Sequence, residues 1–598
     1  MSDLSLIVAG QAGQGLQVIS RTLGRMLVRS GYYVFVSQDV MSRIRGGHNF
    51  ARVRVSTHPV AADANKAQIL IALDPALVAR HVPDLAPDAV VLADATGDLP
   101  AGLNAVRLPL ADLAREHGKD PVMVNAVAVG ATLALVGLEL TGLEDLLESQ
   151  FGHKGEDVVR RNMAAAEVGF RAVVEDQKRC CPHRLEPTGI VPARGLSPER
   201  LLINGAEALA LGAIAAGVRV VTGYPMSPAT PIVEYCFRHA HEAGLIVEQT
   251  EDEVSAANLA IGAAFAGARA MTCTAGGGFC LMNEALSLAG MTETPVVFSV
   301  GMRPGPATGL ATRTAQADIL FAIYAGHGEF PRAVLTPADA GQAFRAAQDA
   351  FRIAEKYQTP VIILFDQFMA DALWTVERSS LESIDHSPES KVPGLGDLEP
   401  YGYRRYEMSG DGVSPMLLPG TPGQIVYADS DEHNEEGHIT ESAQMRVQMV
   451  DKRNAKLEGI KQELGERKVE VEVKVKVKVK AEAEVENLVV CFGSTRGVVG
   501  EAVARLRENG VSAAMVHLDH VWPFPAEAVA LLAGKARKVV TVEQNYSGQL
   551  AQLLLQECGL RAAGTVRRYD GRPFTVAEVE RGLAEILEAG VGDSVKPR

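Results

Sequence analysis

No uninterrupted apolar run in this chain approaches the roughly 18 residues of a membrane span, and Met1–Gly10 has neither a basic leader nor a long apolar core. A cytoplasmic, membrane-free protein is expected. Basic charge is also short: 58 Lys and Arg against 73 Asp and Glu give a formal net charge of −15. That balance argues against nucleic acid as the main partner, because phosphate backbones need a basic footprint. Cysteine is sparse and scattered. The seven residues include no Cys-x-x-Cys pair, so they read as reduced thiols, and no iron–sulfur cluster is expected on this polypeptide. Cys180 and Cys181 are adjacent, but nothing nearby completes a ligand set.

With 598 residues the chain is long enough for three or four domains, and 47 % hydrophobic and 22 % charged residues are ordinary for a globular protein. Short apolar runs alternate with helical stretches, which predicts an α/β fold with parallel-rich sheets and ligands at the strand ends. LSLIVA is expected to be a buried strand. The Gly-rich turn after it, GQAGQG from Gly10 through Gly13, Gln14 and Gly15, leads into an amphipathic helix and leaves amides free for a phosphate. Its order is GxxGxG, so the usual dinucleotide fingerprint is absent. Downstream, Arg43, Arg45, Gly46, Gly47 and His48 precede an alternating strand. Two arginines beside paired glycines suggest an anion pocket facing the first loop, with a solvated turn as the alternative.

The chemistry concentrates between Val221 and Leu310. GYPMSPATP, TEDEVSAANLAIGAAFAGARA, TCTAGGGFCLMNEA and MRPGPATGL follow one another there, with turn residues where apolar runs end. Glu253 opens a helix so poor in bulk that another backbone must pack against it. Its carboxylate is expected to be partly desolvated, the alternative being an ordinary acid at a helix start.

After residue 380 regular burial is expected to stop. DSDEHNEEGH, with His433 and His438, could hold a divalent ion but reads more simply as a solvated loop, and SAQMRVQMVDKRNAKLEGIKQEL reads as a mostly polar helix. KVEVEVKVKVKVK has a strict period of two, as an edge strand guarded by lysines or a slipping hairpin would. Three β-α units follow, carrying HVWPFP and EQNYSGQL.

GYPMSPATP, EDEVSAANLAIGA, TAGGGF and MRPGPATGLAT resemble the motifs YPITPST, E-x-x-A, TSGPGF and RGGPSTGLPT of the alpha subunits of thiamine diphosphate-dependent 2-oxoacid:ferredoxin oxidoreductases. The resemblance covers nearly the whole chain. It implies three Rossmann-like or thiamine-enzyme-type α/β domains with an irregular linker: a coenzyme A-contacting gamma-type domain over 1–185, a pyrimidine-binding domain over 196–380, the linker over 381–485, and a transketolase-C-like domain over 486–598. It also implies a catalytic role for Glu253 at the pyrimidine ring. Arg303 would take the substrate carboxylate, Ser227 and Thr312 the 2-oxo oxygen, and Arg313 is next in line for substrate. The glycine turn and the Arg-Gly-Gly loop would hold coenzyme A phosphates. A beta subunit would carry most of the thiamine diphosphate and Mg2+ contacts and a 4Fe-4S cluster, since the one GDG here, at Gly410, lies outside the expected context. Electrons would go to ferredoxin, and the assembly would be a dimer of alpha-beta units, inactive without beta. Of the 2-oxoacids, 2-oxoglutarate is expected, giving succinyl-CoA and CO2; pyruvate, branched-chain and aryl acids stay open, because several family hydroxyls are Ala or Gly here. A non-catalytic nucleotide-binding scaffold and an NAD-linked dehydrogenase are the other readings.

Overall fold

The computed structural model describes residues 1–41, 46–175, 183–189, 199–382, 400–465, 470–472 and 486–588, and among these it contains three sheets. The chain divides into two compact units.

The first unit comprises Met1–Ile203 with Asp371–Ser380 and Thr575–Ala577. Its strands are β1 (Asp3–Ala12), β2 (Tyr33–Asp39), β3 (Gly46–Ser56), β4 (Ala67–Ala72), β5 (Leu85–Asp94), β6 (Asn104–Leu108) and β7 (Arg200–Asn204). The sheet order is β6-β5-β4-β1-β3-β2, then Leu373–Glu377, then β7. β1 is apolar almost throughout because both of its faces are covered: Leu4, Leu6 and Val8 enter one core, Ile7 and Ala9 the other. On the first of these faces, helices Val124–Val136 and Glu156–Val174 cross with backbones in contact. A Cβ on Gly130 or Gly169 would strike the carbonyl of Ala166 or Val127.

In the second unit the strands are β8 (Val220–Gly223), β9 (Ile246–Gln249), β10 (Ala270–Ala275), β11 (Val297–Met302), β12 (Ala333–Leu335) and β13 (Val361–Asp366); Leu373–Glu377, already placed, counts as β14. Then come β15 (Glu470–Glu472), β16 (Asn487–Phe492), β17 (Ala513–Leu518), β18 (His520–Trp522), β19 (Lys538–Glu543) and β20 (Gly564–Arg567). One sheet has the order β18-β12-β13-β11-β10-β8-β9 and is parallel except where β18 pairs with β12. The other is β15-β17-β16-β19-β20, parallel except at its β15 edge. Parallel strands buried on both faces account for the continuous apolar runs in the sequence. β18 leaves its own neighbours to pair with β12, which the three expected β-α units did not anticipate; the chain turns within HLDHVW and Trp522 comes to lie opposite Val334.

Residues 400–442 are irregular, as expected, but they are not a loose solvated stretch. Tyr403, Arg405, Tyr406, Met416, Leu417 and His433 are buried. Gly412 of the GDG sequence lies against the carbonyl of Lys452, where a Cβ would not fit. Helix Ala443–Gly465 turns Met449, Lys452, Arg453, Lys456, Ile460 and Leu464 inward, so its polar sequence conceals a buried charged face. Of the Val/Lys repeat only Glu470, Val471 and Glu472 lie within the described residues, in β15, and Cys180 and Cys181 lie outside them.

Candidate functional site

The four motifs leave the carboxyl ends of neighbouring parallel strands. Register sets these ends level: Gly223 of β8 pairs with Gln249 of β9 and Cys273 of β10, Ala275 of β10 with Gly301 of β11, and Met302 of β11 with Asp366 of β13. In an open α/β sheet this rim is where ligands bind, because helix N-termini and free amides converge there.

Glu253 is the first residue of helix Glu253–Phe265. Asp252, in extended conformation, caps that helix by accepting from the Ser255 amide at 2.7 Å, so the helix end is satisfied without Glu253. Glu253 is 4 % exposed, and its Oε1 is buried with no hydrogen-bond partner among the described residues. A buried carboxylate oxygen without a partner costs stability unless a ligand completes it, which makes this atom a candidate to receive a donor. The glycine turn shapes the wall opposite. A Cβ on Gly278 would come within 2.7 Å of that same oxygen, so only glycine leaves the acid room.

The β11 loop closes over this turn. Arg303 donates from Nη1 to the carbonyl of Ser227 at 2.7 Å, Gly301 lies against the ring of Pro228, and Gly277 faces the carbonyl of Ala307. Burial lowers the Arg303 guanidinium from its ordinary value, though it stays a cation. The loop therefore brings Arg303, Ser227, the glycine turn and Glu253 into one rim. Thr312 and Arg313 follow on the same loop, both half-buried, and the backbone of Gly571 packs against the Arg313 side chain.

Asp318 escaped the sequence analysis. Its carboxylate stands over Gly276, where a Cβ would lie 2.6 Å from Oδ2, and burial raises it to about 6. The signal was its position just past GLATRT, too common a pattern to single out. Also missed was a buried polar lattice beneath the loop. Asp366, at the end of β13, accepts from Ser494 Oγ at 2.7 Å, Met369 N at 2.9 Å and Gln316 Nε2 at 3.2 Å. Glu543, at the end of β19, accepts from Asn545 Nδ2 at 2.7 Å and Leu550 N at 2.8 Å. Burial raises both carboxyls, against the pull of these hydrogen bonds.

The first unit holds the other set of candidates. Gly13 and Gly15 take left-handed conformations (φ 90° and 71°), as do Gly46 and Gly47 (φ 75° and 81°). Ala12 pairs with Gly46 across a register shift, so the paired glycines do face the first turn. Gln14 folds back: its Oε1 accepts from the Gln11 amide at 2.6 Å and lies where a Cβ on Gly10 would be. His48 Nε2 lies 2.8 Å from His81 Nε2, and His81 Nδ1 lies 3.3 Å from Asp84. Arg43 and Arg45 lie outside the described residues. Among the described residues no cluster of His, Cys, Asp and Glu is arranged to hold a metal ion; Glu432 of DSDEHNEEGH is paired with Arg446 and Arg453, and His433 packs on Tyr406. No described helix is long and apolar enough to cross a membrane.

Comparison with known proteins agrees across the chain. Residues 5–172 match the family model for pyruvate ferredoxin/flavodoxin oxidoreductase, residues 211–452 that for pyruvate flavodoxin/ferredoxin oxidoreductase, thiamine diphosphate-binding, and residues 485–579 that for pyruvate:ferredoxin oxidoreductase core domain II. A 2-oxoacid:ferredoxin oxidoreductase subunit alpha from a Sulfolobus species is 32 % identical over 98 % of this chain and 97 % of its own length. The 2-oxoglutarate oxidoreductase subunit KorA of Mycobacterium tuberculosis is 29 % identical over 98 % of this chain and 92 % of its own. The solved structure of 2-oxoglutarate:ferredoxin oxidoreductase from Magnetococcus marinus, with 2-oxoglutarate, coenzyme A and succinyl-CoA bound, superposes with a TM-score of 0.87 at 29 % identity, covering 98 % of this chain and 100 % of that one.

Proposed function

The chain belongs to the family of 2-oxoacid:ferredoxin oxidoreductase alpha subunits, and from that premise we propose that it is the pyrimidine- and substrate-holding subunit of an enzyme converting 2-oxoglutarate and coenzyme A to succinyl-CoA and CO2 while reducing ferredoxin. The observation that carries this is the buried, unpartnered Oε1 of Glu253 at the head of a small-residue helix. The residues present fit a thiamine pyrimidine ring: the acid lacks a donor, and Gly278 keeps the space beside it open. When bound, thiamine diphosphate supplies the electron sink for the acyl carbanion that no side chain can provide.

This chain's own residues do the rest of the work assigned to it. Glu253 presents Oε1 to a ring nitrogen and holds a proton there, in a pocket that its helix and the glycine turn keep dry. Arg303, already oriented by the Ser227 carbonyl, takes the C1 carboxylate. Ser227 and Thr312 offer hydroxyls to the 2-oxo oxygen. Arg313 stands next on the same loop, as a second cation for the distal carboxylate of a dicarboxylic substrate. The turn at Gly10, Gly13, Gln14 and Gly15, with Arg43, Arg45, Gly46, Gly47 and His48, takes the phosphates of coenzyme A. A beta subunit brings the diphosphate, Mg2+ and 4Fe-4S contacts, and the assembly is a dimer of alpha-beta units working in the cytoplasm. The choice of 2-oxoglutarate is supported by the KorA relative and by the substrate named in the Magnetococcus structure.

Glu253→Gln tests the central assignment. Turnover of the assembled enzyme is expected to fall by about 100-fold or more, the scale of lost general acid–base help, with subunit assembly intact. Undiminished turnover overturns it. Arg303→Ala is expected to raise KM for the 2-oxoacid; comparing 2-oxoglutarate with pyruvate and branched-chain acids in the same assay decides the substrate.

A further inference from the structure

The sequence EQNYSGQL has no part in the chemistry above, yet it hydrogen-bonds the substrate loop at Gln316, Ala317 and Leu320. The Gln316 amide donates to the carbonyl of Gln544 at 2.8 Å, and the Gln544 amide donates back to Gln316 Oε1 at 3.2 Å. Asn545 Nδ2 donates to the Gln316 carbonyl at 3.0 Å. Gln549 brackets the next residues, donating from Nε2 to the Ala317 carbonyl at 2.6 Å and accepting at Oε1 from the Leu320 amide at 3.2 Å. Just upstream, the Thr314 amide donates to the carbonyl of Gly571. Asn545 is itself held by Glu543 and by the amides of Gly548 and Gln549, so its side chain is oriented by its own element as well as by the loop.

We propose that Gln544, Asn545 and Gln549 form a positioning clamp that sets the height of the Arg303–Asp318 loop over the β10 and β11 strand ends, and so sets affinity for the 2-oxoacid. Backbone groups at Gln316 and Ala317 are only three and four residues past Arg313, and the bonds are neutral amide contacts in a buried setting, each directional. A displacement of the loop by a fraction of an ångström would misplace both Thr312 and Arg313 relative to Glu253 while leaving that acid untouched. The expected signature is therefore in KM rather than kcat. The proposal rests on the substrate role given to this loop above.

The test is Gln549→Ala in the full chain assembled with its partner subunit, with Gln549→Glu, which keeps the acceptor for Leu320, as the milder variant should alanine prevent folding. Two readouts are taken: amide hydrogen exchange at Gln316 and Leu320, with the β16 and β19 amides as a folding control, and steady-state kinetics. Exchange at Leu320 is expected to quicken by at least about tenfold and KM for the 2-oxoacid to rise about tenfold, with kcat within about twofold. Gln549→Glu is expected to fall between the two states. Unchanged exchange overturns the clamp. Quickened exchange with unchanged KM overturns its role in affinity, provided Arg303→Ala does raise KM. Should neither Gln549→Ala nor Arg303→Ala raise KM, the substrate assignment of the loop fails, and the proposal with it.

Discussion

Two segments of the second unit are held in opposite ways. The loop Arg303–Asp318 is fastened mostly by neutral groups, amide to carbonyl and amide to amide, from Gln316, Gln544, Asn545 and Gln549, with no ion pair in that set; Asp366 adds one acceptor for Gln316. The segment 400–465 is fastened by buried charge. Glu293, on a left-handed backbone between a helix and β11, accepts from Lys452 Nζ at 2.6 Å and from Lys456 Nζ, while Arg405 donates to its carbonyl at 2.7 Å and to Gln358 at 2.8 Å. Both lysines and Glu293 are 1 % exposed as side chains. Neutral directional bonds fix position without a large desolvation cost, which suits the substrate role proposed for this loop. A buried ion cluster is all-or-none: it stabilises little over an apolar substitute, yet it tolerates the loss of no member.

The contrast breaks most visibly at Glu293. Glu293→Gln leaves Lys452 and Lys456 buried without a counter-charge, and the expected loss is about 3–5 kcal/mol, read as a fall in Tm of the isolated chain. Replacing Glu293 and both lysines together by apolar residues of similar volume should recover most of that loss. An equal loss in the triple variant would show that packing, and not charge, fastens the segment.

At the other segment the largest single perturbation is Gly571→Ala. Gly571 has φ +81°, and a Cβ would meet the side chains of Arg313 and Leu310 at 3.1 Å. Left-handed backbone costs an L-residue about 1–2 kcal/mol, and the crowding adds to it locally. A drop in Tm of that order is expected, with KM for the 2-oxoacid raised because Arg313 is pushed. No such rise in KM is expected from Glu293→Gln in the surviving folded fraction. If both variants change KM alike, the two fastenings are not distinct in function.

The two segments also differ in how far the sequence disclosed them. The motif loops were legible because continuous apolar runs such as PVVFSV mark parallel strands, and Gly, Pro and Ser mark where those strands end. Glu253 was singled out by the small residues that follow it, with an ordinary helix-start acid left open, and its role came only from the resemblance of the motifs around it. Helix Ala443–Gly465 was legible as a helix, but its buried side was not: Lys452 and Lys456 look like solvent residues until Glu293, separated from Lys452 by 159 positions, is placed against them. The clamp was hidden for the same reason, since Gln316 and Asn545 are 229 positions apart and amides leave no periodic trace. Nor could β7 and β14 be foreseen as neighbours at one end of the first sheet, because a strand's sequence states its faces and not its partner. In the first unit, the sequence suggested an anion pocket facing the first loop, with a solvated turn as the alternative; Gly46 pairs with Ala12, and the folding of Gln14 onto its own turn was not foreseen.

Opposite shifts in proton affinity give the comparison its finest edge. Burial disfavours ionisation of Glu293, but Lys456, Lys452 and Arg405 together outweigh it and hold that carboxyl below the usual range. Its stabilisation is therefore complete above the ordinary glutamate value and is lost as pH falls through the lower folded value. Beneath the loop the sign reverses. Burial raises Asp366 and Glu543 more than their hydrogen bonds lower them, so their contribution is complete below the ordinary carboxylate values and is lost as pH rises through the raised ones. Hydrogen exchange measured as a function of pH should show the amides of Ala443–Gly465 weakening on the acid side, and those near Gln316 weakening slightly on the alkaline side of the carboxylate range. Glu543→Gln should weaken only the second trend, because the amide keeps an acceptor for Leu550 and cannot ionise, which leaves Asp366 as the remaining source of it. Parallel trends in both segments would mean that one global unfolding reaction governs them and that the loop has no independent fastening.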